Sequence, residues 1–186
     1  DYNLQVGSSS HSEQTAKIMM GIEKILKKES PDIVLVQGDT NTVMAGAIVA
    51  AKLNIKVGHV EAGLRSYYKK MPEEINRIIA DHCSDFLFAP TEYSKRILIS
   101  EGINENSIYV TGNTVVDAVY QNLAMFKKNK NNLLELLGVK EKKYFLATIH
   151  RQENIEDKTR FEEIISGLEI TAKEFDFPLI LPLHPH

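Results

Sequence analysis

The stretch VGHVEAGLRSYYKKMPEEINR, Val57 to Arg77, decides how the chain is read. An apolar run, VGHV, reads as a strand and ends abruptly in Glu61. AGLR then turns the chain, and Pro72 suits the first turn of a helix carrying Glu73, Glu74, Asn76 and Arg77. Glu73, Asn76, Arg77 and Ala80 recur at spacings of three and four and share one helix face, while Ile75, Ile78 and Ile79 are expected to form the other, buried face. Carboxylates in a first turn complement the helix dipole, which accounts for Glu74. It does not account for Glu73 sharing a stripe with Asn76 and Arg77 beside an acidic strand tip.

Working outward, the same alternation continues along the chain. Short β-rich runs fall at 33–37, 55–60, 86–90, 108–112, 144–150 and 179–184, and segments of helical period at 13–29, 41–53, 73–82, 92–101, 115–127 and 158–175. Strands alternating with helices predict an α/β fold with parallel sheets. The strands are apolar without period-two alternation, as expected where both sheet faces are covered. The Lys- and Asn-rich segment 126–143 reads as a surface connection, and a boundary after residue 114 places four strands before it and two after. The final run, FPLILPLHPH, reads as a strand and its loop with no covering helix, so the chain is expected to be incomplete.

With 186 residues and 43% apolar composition, the chain can bury one good core or parts of two. A net charge of -3 with scattered Lys and Arg provides no basic field for nucleic acid and no polybasic run for a membrane. No apolar run reaches the roughly 20 residues of a membrane span, and a cytoplasmic protein is expected. The single cysteine, Cys83, cannot form an internal disulfide and is expected to be a buried thiol.

Ligands of open parallel sheets bind beyond the carboxyl ends of the strands. Here those ends are QGDTNT, HVEAGLR, APTEYS, TGNTVVD, TIHRQEN and LHPH. Asp39 serves equally as a helix N-cap or as a functional carboxylate, and Arg65 as a fork for phosphate or a partner for a carboxylate. Thr91 and Asn113 suit caps as well as ligand contacts. His150, Arg151, Glu153 and Asn154 crowd one tip, where His150 and Arg151 can both donate to an anion. His184 and His186 are too few for a metal site, and none is expected. Neither GxxxxGK[ST] nor GxGxxG occurs, which argues against P-loop chemistry.

Taken in order, QGDT, HVEAGLRS, PEEINR, PTE, VTGNTVVD, TIHRQEN and LPLHP resemble the non-hydrolysing UDP-N-acetylglucosamine 2-epimerases over nearly the whole chain. The resemblance implies two doubly wound, Rossmann-like domains facing across a cleft, in the arrangement of one large glycosyltransferase class (GT-B-like). Residues 1–114 would form the rear of the first domain and 115–186 the front of the second, both incomplete. It also implies inversion of C2 of the sugar by elimination and re-addition of UDP, without a redox cofactor, in a cytoplasmic homodimer serving cell-surface polysaccharide biosynthesis. A second, regulatory molecule of UDP-N-acetylglucosamine would bind beside the first.

Carried over on the matching motifs, Asp39, Glu61, Glu73 and His150 are the catalytic candidates. Arg65, Asn76, Arg77, Thr91, Asn113, Arg151, Glu153, Asn154 and His184 are the substrate-binding candidates. Their division between the active site and the regulatory site stays open, as does the face of C2 each carboxylate serves. Competing readings are a 2-epimerase of another UDP-acetamido sugar, a hydrolysing relative that releases N-acetylmannosamine, and a non-catalytic nucleotide-sugar-binding module. A glycosyltransferase of the same fold would not require the acidic HVEAGLR and PEEINR pair.

Overall fold

The computed structural model describes residues 2–129, 133–149, 152–155 and 157–183, without the side chains of 127–129, 152 and 153. The chain divides into two compact units, residues 1–121 and 122–186. In the first, α1 (His11–Glu29) is followed by β1 (Ile33–Gln37), α2 (Asn41–Lys52), β2 (Lys56–Val60), α3 (Pro72–His82), β3 (Phe86–Ala89), α4 (Glu92–Ser100) and β4 (Ile108–Val110). Helix α5 (Thr114–Asn129) contains the division between the units, a few residues beyond the boundary expected at 114.

Local chemistry sets the helix ends. Ser10 caps α1 by accepting from the Glu13 N–H, and Ser30 closes it in the left-handed conformation, with Lys27 and Lys28 in the last turn. Pro72 opens α3 and Thr91 caps α4. Helix α2 carries small residues, and its buried Ala45, Gly46, Ala47 and Ala50 let it lie close to the sheet. A side chain at Gly46 would press on Val36 at 3.2 Å.

The four strands are parallel and in sequential order, β1-β2-β3-β4. Right-handed crossovers in a single direction put α2, α3 and α4 on one sheet face. Register agrees: the row Val36, His59, Leu87 and Ile108 is buried, as are Val57 and Ala89. Two core clusters form there, one joining Leu26, Val43, Ala47 and Ala80 to β1 and β2, the other joining Ala62 and Leu98 to β3 and β4.

The opposite face is open among the described residues. Ile33, Leu35 and Tyr109 are exposed there, Leu35 at 62%, and no described helix covers them. Among the described residues, the sequential order β1-β2-β3-β4 places α2, α3 and α4 on the other side.

The second unit pairs β5 (Phe145–Leu146) with β6 (Leu179–Ile180) in parallel, and α8 (Lys158–Phe175) lies between them in sequence. Phe145 meets Phe175 edge-on and Phe177 at a tilt, both at 5.8 Å between ring centroids. Both strands are shorter than the runs 144–150 and 179–184 predict, and residues 150 and 184 lie outside the described residues. The polar segment 126–143 holds the end of α5 and the short α6 (Leu133–Leu136).

Gly63 fixes how the turn after β2 lies against α4. It has a positive φ of 77°, and a Cβ there would stand 2.5 Å from the Ser94 carbonyl oxygen. That neighbour is backbone and cannot rotate away. Gly63→Ala should destabilise the intact protein by about 2–5 kcal/mol, combining left-handed strain with overpacking. Urea unfolding measures this, and a loss below about 1 kcal/mol would show that the turn relaxes freely.

Candidate functional site

The carboxyl ends of β1 and β2 converge with the start of α3. Gly38, with φ +82°, leaves β1 and turns the chain so that Asp39 stands at its tip. Asp39 does not cap α2, whose N-cap is Thr40 without a side-chain bond. Its carboxylate instead pairs with Arg77 at 2.5 Å, and its carbonyl accepts from the Asn76 amide at 2.9 Å. Asn76 also donates to Asn41, which donates to Gln14. Asn76 and Arg77, placed one helix turn after Glu73, thus hold the Asp39 turn.

Glu61 follows β2 with φ 71°, a left-handed conformation that costs a non-glycine residue about 1–2 kcal/mol. Backbone bonds on either side maintain it: the Gly38 N–H donates to Val60 O at 3.1 Å and the Ala62 N–H to Phe88 O at 3.2 Å. The carboxylate of Glu61 reaches over Gly38, 3.8 Å from where a Cβ would lie. Glu61 and Glu73 are half-buried and have no protein partner among the described residues. Strained backbone of this kind clusters at active sites and ligand clamps.

Two charged residues of the stretch, Arg65 and Glu74, are committed to bonds within the fold. The Arg65 side chain is 1% exposed and forks onto Glu101 at 2.8 and 2.6 Å, while its other terminal nitrogen meets Asp81 at 2.7 Å and the Leu64 carbonyl. Burial opposes its charge, but Glu101 and Asp81 outweigh burial and hold the guanidinium charged. Withdrawing Arg65 toward a phosphate would strand Asp81, which has no solvent exposure, at a cost of about 3–5 kcal/mol. An exposed phosphate contact returns less. Arg65 is thus engaged by the scaffold carboxylates Asp81 and Glu101, the carboxylate partnership that its sequence position also allowed.

Glu74 was expected to do no more than complement the helix dipole. It is 1% exposed instead, and accepts from the Ser66 N–H and hydroxyl at 2.9 Å and the Tyr67 N–H at 2.8 Å, with Arg77 at 3.2 Å. The buried face of α3 carries Glu74, Asn76, Ala80 and Asp81. Ile75 is 48% exposed and lines a groove of about 430 Å³ with Pro72, Met19 and Met44, while Ile78 and Ile79 are half-buried. The helix turns its polar side inward because it packs against strand tips, whose free backbone groups need partners.

Thr91 accepts from Ser94 N–H at 3.1 Å, and Asn113 from Val115 N–H at 2.9 Å, so both act as caps at helix starts. Asn154 lies in α7 (Gln152–Ile155) of the second unit, where Glu153 falls on the same helix with its side chain outside the description. His150, Arg151 and His184 lie outside the described residues. Cys83 is half-buried at the end of α3, and burial pushes its thiol up. Asp81 and Glu101, which sequence reading did not single out, complete the supporting layer together with His59.

The sequence profile of the UDP-N-acetylglucosamine 2-epimerase family matches residues 1–186. The chain belongs to this family. A UDP-N-acetylglucosamine 2-epimerase of Methanocaldococcus jannaschii is 53% identical over 185 residues, 99% of this chain and 50% of that relative. A UDP-2,3-diacetamido-2,3-dideoxy-D-glucuronate 2-epimerase of Pseudomonas aeruginosa is 39% identical over the whole chain and 51% of its own. The crystal structure of the M. jannaschii enzyme in complex with UDP-GlcNAc and UDP superposes with a TM-score of 0.90 at 51% identity, covering 100% of this chain and 51% of that one. A Neisseria meningitidis enzyme bound to UDP-GlcNAc gives 0.92 at 36% identity, with 100% and 52% covered. The chain thus spans about half the length of the family members it matches.

Burial pushes the Glu74 carboxyl up, but the Ser66 and Tyr67 N–H groups, the Ser66 hydroxyl and Arg77 outweigh it and hold the group below its ordinary range. A depressed folded-state value stabilises the fold above the unfolded carboxyl's pKa, roughly 4.3, and that contribution is lost as pH falls through the folded value. Glu74→Gln places an amide donor among donors and should cost about 2–3 kcal/mol at neutral pH. Urea unfolding of the intact protein should also show a smaller loss of stability below pH 5 in the variant than in the wild type. A cost under about 1 kcal/mol would return Glu74 to a dipole role.

Proposed function

We propose that the intact protein inverts C2 of UDP-N-acetylglucosamine to give UDP-N-acetylmannosamine. The observation that carries this reading is the arrival of Asp39, Glu61 and Glu73 at one edge of the sheet, with Glu61 and Glu73 unengaged, while Glu74, Asp81 and Glu101 are committed to scaffold bonds. Membership of the family and similarity to proteins named for this activity support it.

The C2 hydrogen is not adjacent to a carbonyl, so enolisation does not make it acidic. A base removes the proton from C2, the C1–O bond breaks, and UDP leaves with the bonding pair as a double bond forms between C1 and C2. Re-addition of UDP at C1, with proton delivery to the opposite face of C2, completes the inversion. Atoms and oxidation states balance without a redox partner. The reaction calls for carboxylates near both faces of C2 and for cationic donors at the departing diphosphate. Asp39, Glu61 and Glu73 are assigned to the proton transfers. On residue pattern alone, His150 and Arg151 are assigned to the leaving group. Asn76 and Arg77 support Asp39 from the α3 face. Regulation by a second nucleotide sugar and assembly as a homodimer belong to the same proposal, as does a cytoplasmic location.

Incubation of the intact protein with UDP-N-acetylglucosamine in D2O should place deuterium at C2 of both sugar epimers, read by proton NMR. Release of free N-acetylmannosamine would identify a hydrolysing enzyme, and no exchange at all would overturn the epimerase reading. Asp39→Asn and Glu73→Gln should each lower kcat by about 100-fold or more with the fold retained, because each keeps shape and removes proton-accepting ability. Near-normal turnover in both would refute the acid/base assignment.

A further inference from the structure

His59 is fully buried near the carboxyl end of β2, beneath the helices, and no step above uses it. Its Nδ1 stands 2.6 Å from Asp81 Oδ1 and its Nε2 2.8 Å from the Gly38 carbonyl oxygen. Asp81 is itself supplied with donors at both oxygens, by the Gly63 N–H at 3.2 and 3.4 Å and by Arg65 at 2.7 Å, so it faces His59 as a carboxylate. A carbonyl oxygen can only accept. Both ring nitrogens therefore face acceptors, and an imidazole satisfies both only by carrying N–H on each.

We propose that His59 is a positioning residue for the reaction, an imidazolium that clamps the Gly38 carbonyl, and with it the turn presenting Asp39, to the buried Asp81. Its charge is compensated. Arg65 and His59 face Asp81 and Glu101, two cations against two anions, with His82 3.6 Å from Glu101 at the exposed margin. An uncompensated buried cation would be costly, whereas this balanced cluster is not.

The clamp acts where the backbone most needs it. Gly38 has no side chain to hold its left-handed turn, and both its polar groups are secured by β2: its N–H donates to Val60 O, and its carbonyl accepts from His59. Asn76 and Arg77 then fix the next residue, Asp39, from α3. Sub-ångström control of a proton-transferring carboxylate bears on turnover rather than on substrate affinity. A histidine that merely satisfied a core would affect stability alone.

The activity arm of the test rests on the epimerase reading, whereas the spectroscopic arm does not. In intact protein labelled with nitrogen-15 and carbon-13, His59 should show two imidazole N–H protons, assigned through bonds from its own side-chain and backbone resonances in the wild type. A single N–H, with the other nitrogen unprotonated, overturns the proposal without requiring any variant to fold. In His59→Asn the amide can replace the donor to Asp81 but not the one to Gly38, and in His59→Gln it can reach Gly38 but leaves Asp81 unserved. The expected result is a kcat at least about tenfold lower in His59→Asn than in His59→Gln, with KM for the nucleotide sugar changed less than about twofold in both. Equal kcat losses, or losses confined to KM, overturn positioning through Gly38. If the wild type lacks epimerase activity, the functional reading falls while the imidazole protons still decide the clamp.

Discussion

A single carboxylate, that of Asp81, ties together the parts of the first unit that must not move. It sits near the end of α3 with no solvent exposure and receives donors from β2 through His59, from the turn after β2 through Gly63, and from Arg65 beyond that turn. Arg65 extends the connection to Glu101 at the end of α4. Because a buried charge without partners costs several kcal/mol, each group holds the others in place. The strained backbone at Glu61 persists inside this frame, two residues before Gly63 and two after His59.

Strand order determines where the frame stands. Sequential parallel strands joined through helices send every crossover to one side, so the tips of β1 and β2 and the start of α3 gather at a single edge. The same order leaves Ile33, Leu35 and Tyr109 without a covering helix among the described residues. The chain corresponds to about half of its relatives' length.

Adjacent, chemically alike residues meet different fates in this arrangement. Glu73 is half-buried and unengaged, whereas Glu74, one residue later and 100° around the helix, is buried under the turn formed by Ser66 and Tyr67. Arg77 joins Asp39 to Glu74, and Arg65 is enclosed by Asp81 and Glu101. The distinction between a carboxylate that supports the site and one left free to act comes from packing, not from residue type.

The sequence by itself determined the alternation of strands and helices, since hydrophobic period and caps are local properties, and all six long helices and six strands occur close to the expected positions. It also determined that Asp39, Glu61 and Glu73 fall at strand tips or a helix start, because topology puts loop residues there. Helix periodicity misplaced the inner face of α3, however: it marks Ile75, while the tertiary structure buries Glu74, Asn76 and Asp81 against polar strand ends. Only the fold decided that Arg65 is spent on Asp81 and Glu101, residues 16 and 36 positions away, or that His59 reaches back to Gly38. A local pattern records which side of an element is apolar. Which charged groups meet in the interior depends on contacts between distant segments, and those exist only once the sheet has assembled.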